Sequence, residues 1–138
     1  MPVGTVGRGE LPTEGVVTKE SHRSVTDTVA RLQQMVSARG MKVFAVIDHQ
    51  AEARAKGLAL RATVVVLFGS PEAGTPVMAS APLSALDLPL KVLTWVDGDQ
   101  TKISYTAPTA LAARFHLSSE MAARLAAIDS LTDALVAD

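Results

Sequence analysis

Cysteine is absent from this chain. That removes disulfides, Cys-ligated zinc, iron–sulfur clusters and thiol nucleophiles together, and it fits a reducing compartment. Aromatic residues make up only 4%, so stacking platforms for single-stranded nucleic acid are scarce. Lysine and arginine form no cluster and the net charge is -1; the phosphate-backbone footprint is missing, and no nucleic-acid partner is expected. No apolar run approaches the roughly 20 residues that span a bilayer, so no membrane partner is expected either. The opening "MPVGTVGRGELPTEG" has no basic region followed by an apolar core and does not read as a secretion signal. The expected location is cytoplasmic.

What is present is a globular composition, 48% hydrophobic and 20% charged over 138 residues, enough for one domain with a real core. With so few aromatics, that core must be built from Val, Leu, Ala, Ile and Met. Residues 1–13, rich in Gly and Pro, read as a flexible N-terminal segment. Residues 14–138 read as a single domain.

"GVVTKES" is a short strand candidate, rich in β-branched residues. From Ser24 the period changes: Val25, Val29, Leu32 and Val36 recur at helical spacing, with Ser24 as N-cap and Gly40 as the stop. "MKVFAVI" is a strand. A short helix follows from Asp48 to Gly57, with Ala51, Ala55 and Leu58 facing inward. "ATVVVLF" (62–68) is apolar on both parities and reads as a central strand covered on both faces. "GSPEAGTPVMASAP" carries turn chemistry, with one helical turn after Thr75–Pro76. "LPLKVLTWV" and "TKISYT", joined by "DGDQ", form a hairpin. An even loop puts Leu90, Val92 and Val96 on the face of Ile103 and Tyr105. Two helices close the chain, the last opened by Ser118 or Ser119 and carrying Met121, Leu125, Ile128 and Leu135. The expected core includes Val29, Leu32, Val43, Val64, Val66 and Leu93.

This order predicts an α+β fold, a mixed β-sheet of about five strands with helices packed mainly on one face. A doubly wound nucleotide fold would need a G-x-G-x-x-G turn, which neither "IDHQAE" nor "FGSPEAG" supplies. The hairpin leaves the strand carrying Ile103 and Tyr105 as an open edge, a surface that a homodimer commonly covers.

Several marks occur in order: Asp48–His49, Ala53, Gly57, Phe68–Gly69, Pro71, Gly74–Thr75 and Asp87–Leu88–Pro89–Leu90–Lys91. With "SVTDTVARLQQMVSARGMKVF" upstream, they make residues 15 to 117 resemble the bacterial and archaeal family known as domain of unknown function 302. The resemblance departs at Ser70, where the family usually has Asn, and at Asp97, where it has a longer acidic stretch. What it implies is a small α+β domain that forms a homodimer and has no established activity.

Three places carry candidate chemistry. Asp48 and His49 bring a carboxylate and an imidazole to a helix start, either as cap and first-turn residue or as a binding or acid–base pair. Gly69, Ser70 and Gly74 open a turn where backbone N–H groups approach an anion, although no P-loop lysine follows. The bland alternative there is a strand-exit turn that uses positive φ. Asp87, Lys91 and Tyr105 flank the hairpin. His22, His49 and His116 show no metal-ligand spacing, so no metal and no cofactor is expected. The reading is a ligand-binding or protein-interaction module, with a small-molecule pocket near His49 and the hairpin formed by Asp48, His49, Asp87, Lys91 and Tyr105. An enzyme using Asp48 and His49 for acid–base chemistry, or a purely structural dimerisation domain, are the alternatives.

Overall fold

The Ser24 side chain accepts a hydrogen bond from the Asp27 backbone N–H at 3.0 Å, satisfying one of the free donors at a helix start. The helix it opens, α1 (Val25–Ala38), buries Val25, Val29, Leu32 and Val36. Gly40 sits just past its end at φ +75°, the left-handed conformation that stops a helix most cheaply on glycine. The computed structural model describes residues 14–138. The segment 1–13, expected to be flexible, lies outside the described residues.

Five strands form one sheet: β1 (Val16–Ser21), β2 (Lys42–Asp48), β3 (Thr63–Gly69), β4 (Leu90–Asp97) and β5 (Gln100–Thr106), in the order β1-β5-β4-β3-β2. With helices against it, the molecule is an α+β fold. All four strand pairings are antiparallel, so the sheet is not mixed. The crossover helix α1 does join two strands that run the same way. Those strands are the two edges of the sheet, however, and three others lie between them.

The hairpin has the expected even register. Asp97 pairs with Gln100 and Thr94 with Ile103, leaving a two-residue turn in which Gly98 takes φ +66°. Its second strand is not an edge. β1 returns to pair with β5 along its whole length, so Ile103 and Tyr105 are interior and buried. The open edges are β1 and β2.

β3 is second from the edge and covered by α1 on one face only. Val64, Val66 and Phe68 are buried there, while Thr63, Val65 and Leu67 on the other face are half-buried. A run that is apolar on both parities records that both faces avoid water, not that a helix lies on each. Leu93 stands on that second face, and Val43 on the edge strand; both are half-buried and outside the closed core. Val29, Leu32, Val64 and Val66 are core residues as expected.

Helix α2 (His49–Ala55) has no buried residue. Ala51 and Ala55 are exposed, and so is Leu58 at 65%; two turns are too short to bring an apolar stripe over the sheet. The stretch expected to carry turn chemistry with one helical turn after Thr75–Pro76 is instead the ten-residue helix α3 (Pro71–Ser80). Pro71 takes the first helical position, where its missing N–H is not needed, and Pro76 sits inside at the expense of one backbone bond. A 3-10 turn (Pro82–Leu86) leads to a cis Leu88–Pro89 bond and β4. The C-terminal part has three helices: α4 (Pro108–Phe115), α5 (Ser119–Ala123) and α6 (Ala127–Val136). The last two were expected as one. Bonds from Leu125 N–H to Ala122 C=O and from Ala126 N–H to Ala123 C=O tighten the chain between them into 3-10-type turns.

Candidate functional site

β3 ends at Gly69, where Ser70 turns the chain into α3. The Ser70 side chain accepts from the Ala73 N–H at 3.4 Å and donates to Glu72 Oε1 at 2.9 Å. Hydrogen bonds from its own backbone N–H and from Ser70 hold the Glu72 carboxyl below the usual range. Ser70 is therefore a helix cap, a role that the family's Asn fills equally well. Neither Gly69 nor Gly74 has a positive φ, so the turn does not demand glycine at either position.

What these glycines border is a cleft of about 220 Å³. Gly69 and Leu90 come from the adjoining strand ends, Ala73, Gly74 and Met78 from α3, and Leu88 with Pro89 from the segment before β4. Met41 and Phe44 close it from β2 and the residue before it. Arg124, Leu125 and Ala127 close it from the joint between α5 and α6. Among the described residues the lining is almost entirely apolar, and Arg124 is its one charged side chain. A Cβ added at Gly69 would meet Pro89 at 3.9 Å, and one at Gly74 would meet Met78 Cε at 3.8 Å. Both are ordinary contact distances, so each glycine leaves space that a larger residue would take. Gly69, Pro71, Gly74, Leu88, Pro89 and Leu90, which carry much of the family resemblance, all line this cleft.

The expected site residues fall into three separate places. Asp48 and His49 lie together at the far end of β2, about 13 Å beyond Phe44 of the cleft wall at roughly 3.3 Å per strand residue. Asp48 caps α2, accepting from the Ala51 N–H at 2.9 Å; His49 is exposed in the first turn and lines neither described cleft. Asp87 and Lys91 do come together, on a second cleft of about 260 Å³ beneath α4. There Asp87 pairs with Arg114 at 2.9 Å, and Lys91 Nζ reaches the Pro89 carbonyl at 3.4 Å.

Tyr105 belongs to neither group. Its hydroxyl donates to Asp129 Oδ1 at 2.6 Å, and burial, then this bond, raises its pKa above 10.0. Beside it Lys19 donates to Thr132 Oγ1 at 2.6 Å and pairs with Asp133 at 2.8 Å. Partial burial alone would lower the Lys19 pKa; its bonds to Asp133 and Tyr105 outweigh that and hold it above 10.5. These contacts fasten α6 onto β1 and β5. Among the described residues, no group of three or more acidic or histidine side chains is placed to hold a metal ion. His116 is the left-handed cap of α4 at φ 54°.

Sequence reasoning missed the cleft because its residues come from four separated stretches of chain. The available signal was "FGSPEAG" followed by "DLPL", the first read as a turn and the second as the entry to the hairpin strand rather than as two walls of one space.

The chain is 39% identical over 111 residues to "Fluoride-specific ion channel FluC 1" of Brucella suis biovar 1 (strain 1330), a match covering 78% of this chain and 44% of that protein. The protein of the same name from Brucella abortus biovar 1 (strain 9-941) is also 39% identical, with 41% of its length covered. The chain thus spans less than half the length of these curated relatives. Among solved structures, the uncharacterized conserved protein DUF302 from Bacillus stearothermophilus has the same fold. It gives a TM-score of 0.75 at 20% identity, over 88% of this chain and 95% of that one. The family model of DUF302 matches residues 17–135, reaching through α6 and so beyond the stretch in which the sequence alone carries the likeness. On that match, this chain belongs to the family described as domain of unknown function DUF302.

Proposed function

We propose that this domain is a ligand-binding module whose site is the apolar cleft between α3, Pro89 and the α5–α6 joint. The observation that carries this reading is Gly74. A glycine inside a helix weakens it by roughly 0.5–1 kcal/mol relative to alanine, and no backbone angle or close contact requires one here. What Gly74 does provide is room in the cleft. At about 220 Å³ the space is below the roughly 300–1,000 Å³ of drug-sized pockets and above the ~150 Å³ that holds a benzene ring. A single ring or a chain of about six to eight carbons fits it. Methyl NMR of the methionines tests this with 1-hexanol as probe. The Met41 and Met78 methyls, which line the cleft, should shift and saturate while Met35 on α1 stays put. Equal shifts at all three, or none, would contradict the site.

The module works as a two-fold homodimer in this reading, joined through β2. That edge strand exposes Phe44 at 45%, Val46 at 43% and, on the opposite face from Val46, Ile47 at 38%, an apolar edge that proteins ordinarily pair or cover. A second copy laid antiparallel along β2 extends the sheet and buries the edge on both sides.

The names of the curated relatives favour one further role, as a lobe that acts on a membrane channel. No helix among the described residues is long and apolar enough to cross a membrane, so in this role the pore lies outside residues 14–138. Fluoride flux through such a channel in vesicles should change when this chain is added. Unchanged flux at saturating protein would remove the role.

A further inference from the structure

Resting on the ligand-binding reading above, we infer that the cleft takes a small amphipathic carboxylate, its chain among Met41, Met78, Leu88 and Leu125 and its anionic end on Arg124. Among the described residues Arg124 is the only charged side chain in the lining, and it stands at the joint between α5 and α6. Its single ion pair is long, 3.8 Å to Glu120, a side chain that is 74% exposed. Such a pair is weak and screened, so a ligand carboxylate that brings two oxygens to the guanidinium displaces it readily. A second cation stands at the same mouth. Lys42, opposite Gly69 across the β2–β3 pair, holds its ammonium 5.0 Å from the centre of the Phe44 ring, and Phe44 is itself a wall of the cleft. Lys42 and the acids nearby, Glu72 and Glu120, are not part of the lining, and Glu72 is engaged by Ser70. An anion entering the cleft thus meets Arg124 as the one charged wall residue among those described, with apolar surface around it.

This arrangement selects on both ends of the ligand. Each methylene buried among the methionines and leucines should raise affinity about fourfold until the cleft is full. The head group should add discrimination that an alcohol of the same length lacks.

Calorimetric titration of the full chain with sodium octanoate, sodium butanoate and 1-octanol tests both parts. The expected result is that octanoate binds more tightly than butanoate and more tightly than octanol. In Arg124→Gln the octanoate affinity should fall about five- to tenfold while that of octanol is unchanged. If octanol binds at the cleft but octanoate binds no better, or if Arg124→Gln weakens both alike, the carboxylate assignment is wrong and the apolar site survives. If none of the three compounds binds, the ligand-binding reading falls with it. Thermal unfolding of Arg124→Gln guards the comparison; a variant that melts with the parent isolates the head-group contact. Should it melt lower, Arg124→Lys, which keeps the charge without the fork, should retain part of the octanoate preference, and a complete loss there would also overturn the assignment.

Discussion

Gly74 and Asp48 look similar in the sequence, each a small residue beside a helix start, but they do different work. Asp48 spends its carboxylate on the Ala51 N–H, which is what a cap does, and the question of an Asp48–His49 site reduces to an exposed imidazole. Gly74 satisfies nothing, and its worth is the volume it leaves. Tyr105 makes a third case, where a side chain that looks like hairpin surface is instead a buried donor to Asp129. It is the only tyrosine in the chain, so its phenolate absorbance can be followed without ambiguity. The titration midpoint should lie above 10.0; a midpoint at or below that value would contradict the burial of the hydroxyl and its bond to Asp129. A phenol whose pKa is higher folded than unfolded holds its proton more tightly in the native state. Its stabilisation is therefore complete below about pH 10 and lost as the pH rises through the folded value. Lys19, raised above 10.5, works in the same direction, so alkali should loosen α6 first.

Helix α1 and the hairpin were legible because each rests on a local rule: a cap, a stop and a 3.6 period for one, a two-residue turn and matching parity for the other. β5 was misplaced as an edge because its cover, β1, lies more than eighty residues earlier, and period-2 patterning says nothing about which strand pairs with which. α2 failed differently, since its alanines suit a buried face but nothing reaches it. α3 was hidden by Pro76, which is usually a breaker and is tolerated here with Ser70 and Pro71 starting the helix five residues before it. At this scale the telling element is β2. If a second copy pairs along it, Val46→Lys should place a charge in the junction and convert a dimer mass into a monomer mass in light scattering at high micromolar concentration. A parent chain that is already monomeric there would contradict the assembly.

Seen whole, the molecule keeps its family marks at two ends of the sheet. One group, Asp48–His49, Ala53 and Gly57, builds the exposed α2 and its exit; the other, from Gly69 to Leu90, builds the cleft. The core between them, Val66, Phe68, Val92 and Ile103 under α1 and α6, is a scaffold that fixes both without taking part in either. Fold class could be read from the order of elements, whereas the site could not, because a cleft is a property of separated segments brought together. The central claim is that this cleft is kept open for a ligand at some cost to the fold, and Gly74 separates the two effects. Gly74→Leu should leave the melting temperature equal to or above that of the parent, since leucine favours the helix and its side chain has space to occupy. The same variant should abolish the saturable shift of the Met41 and Met78 methyls by 1-hexanol. A variant that melts as predicted yet still binds the probe at those methyls would contradict the account.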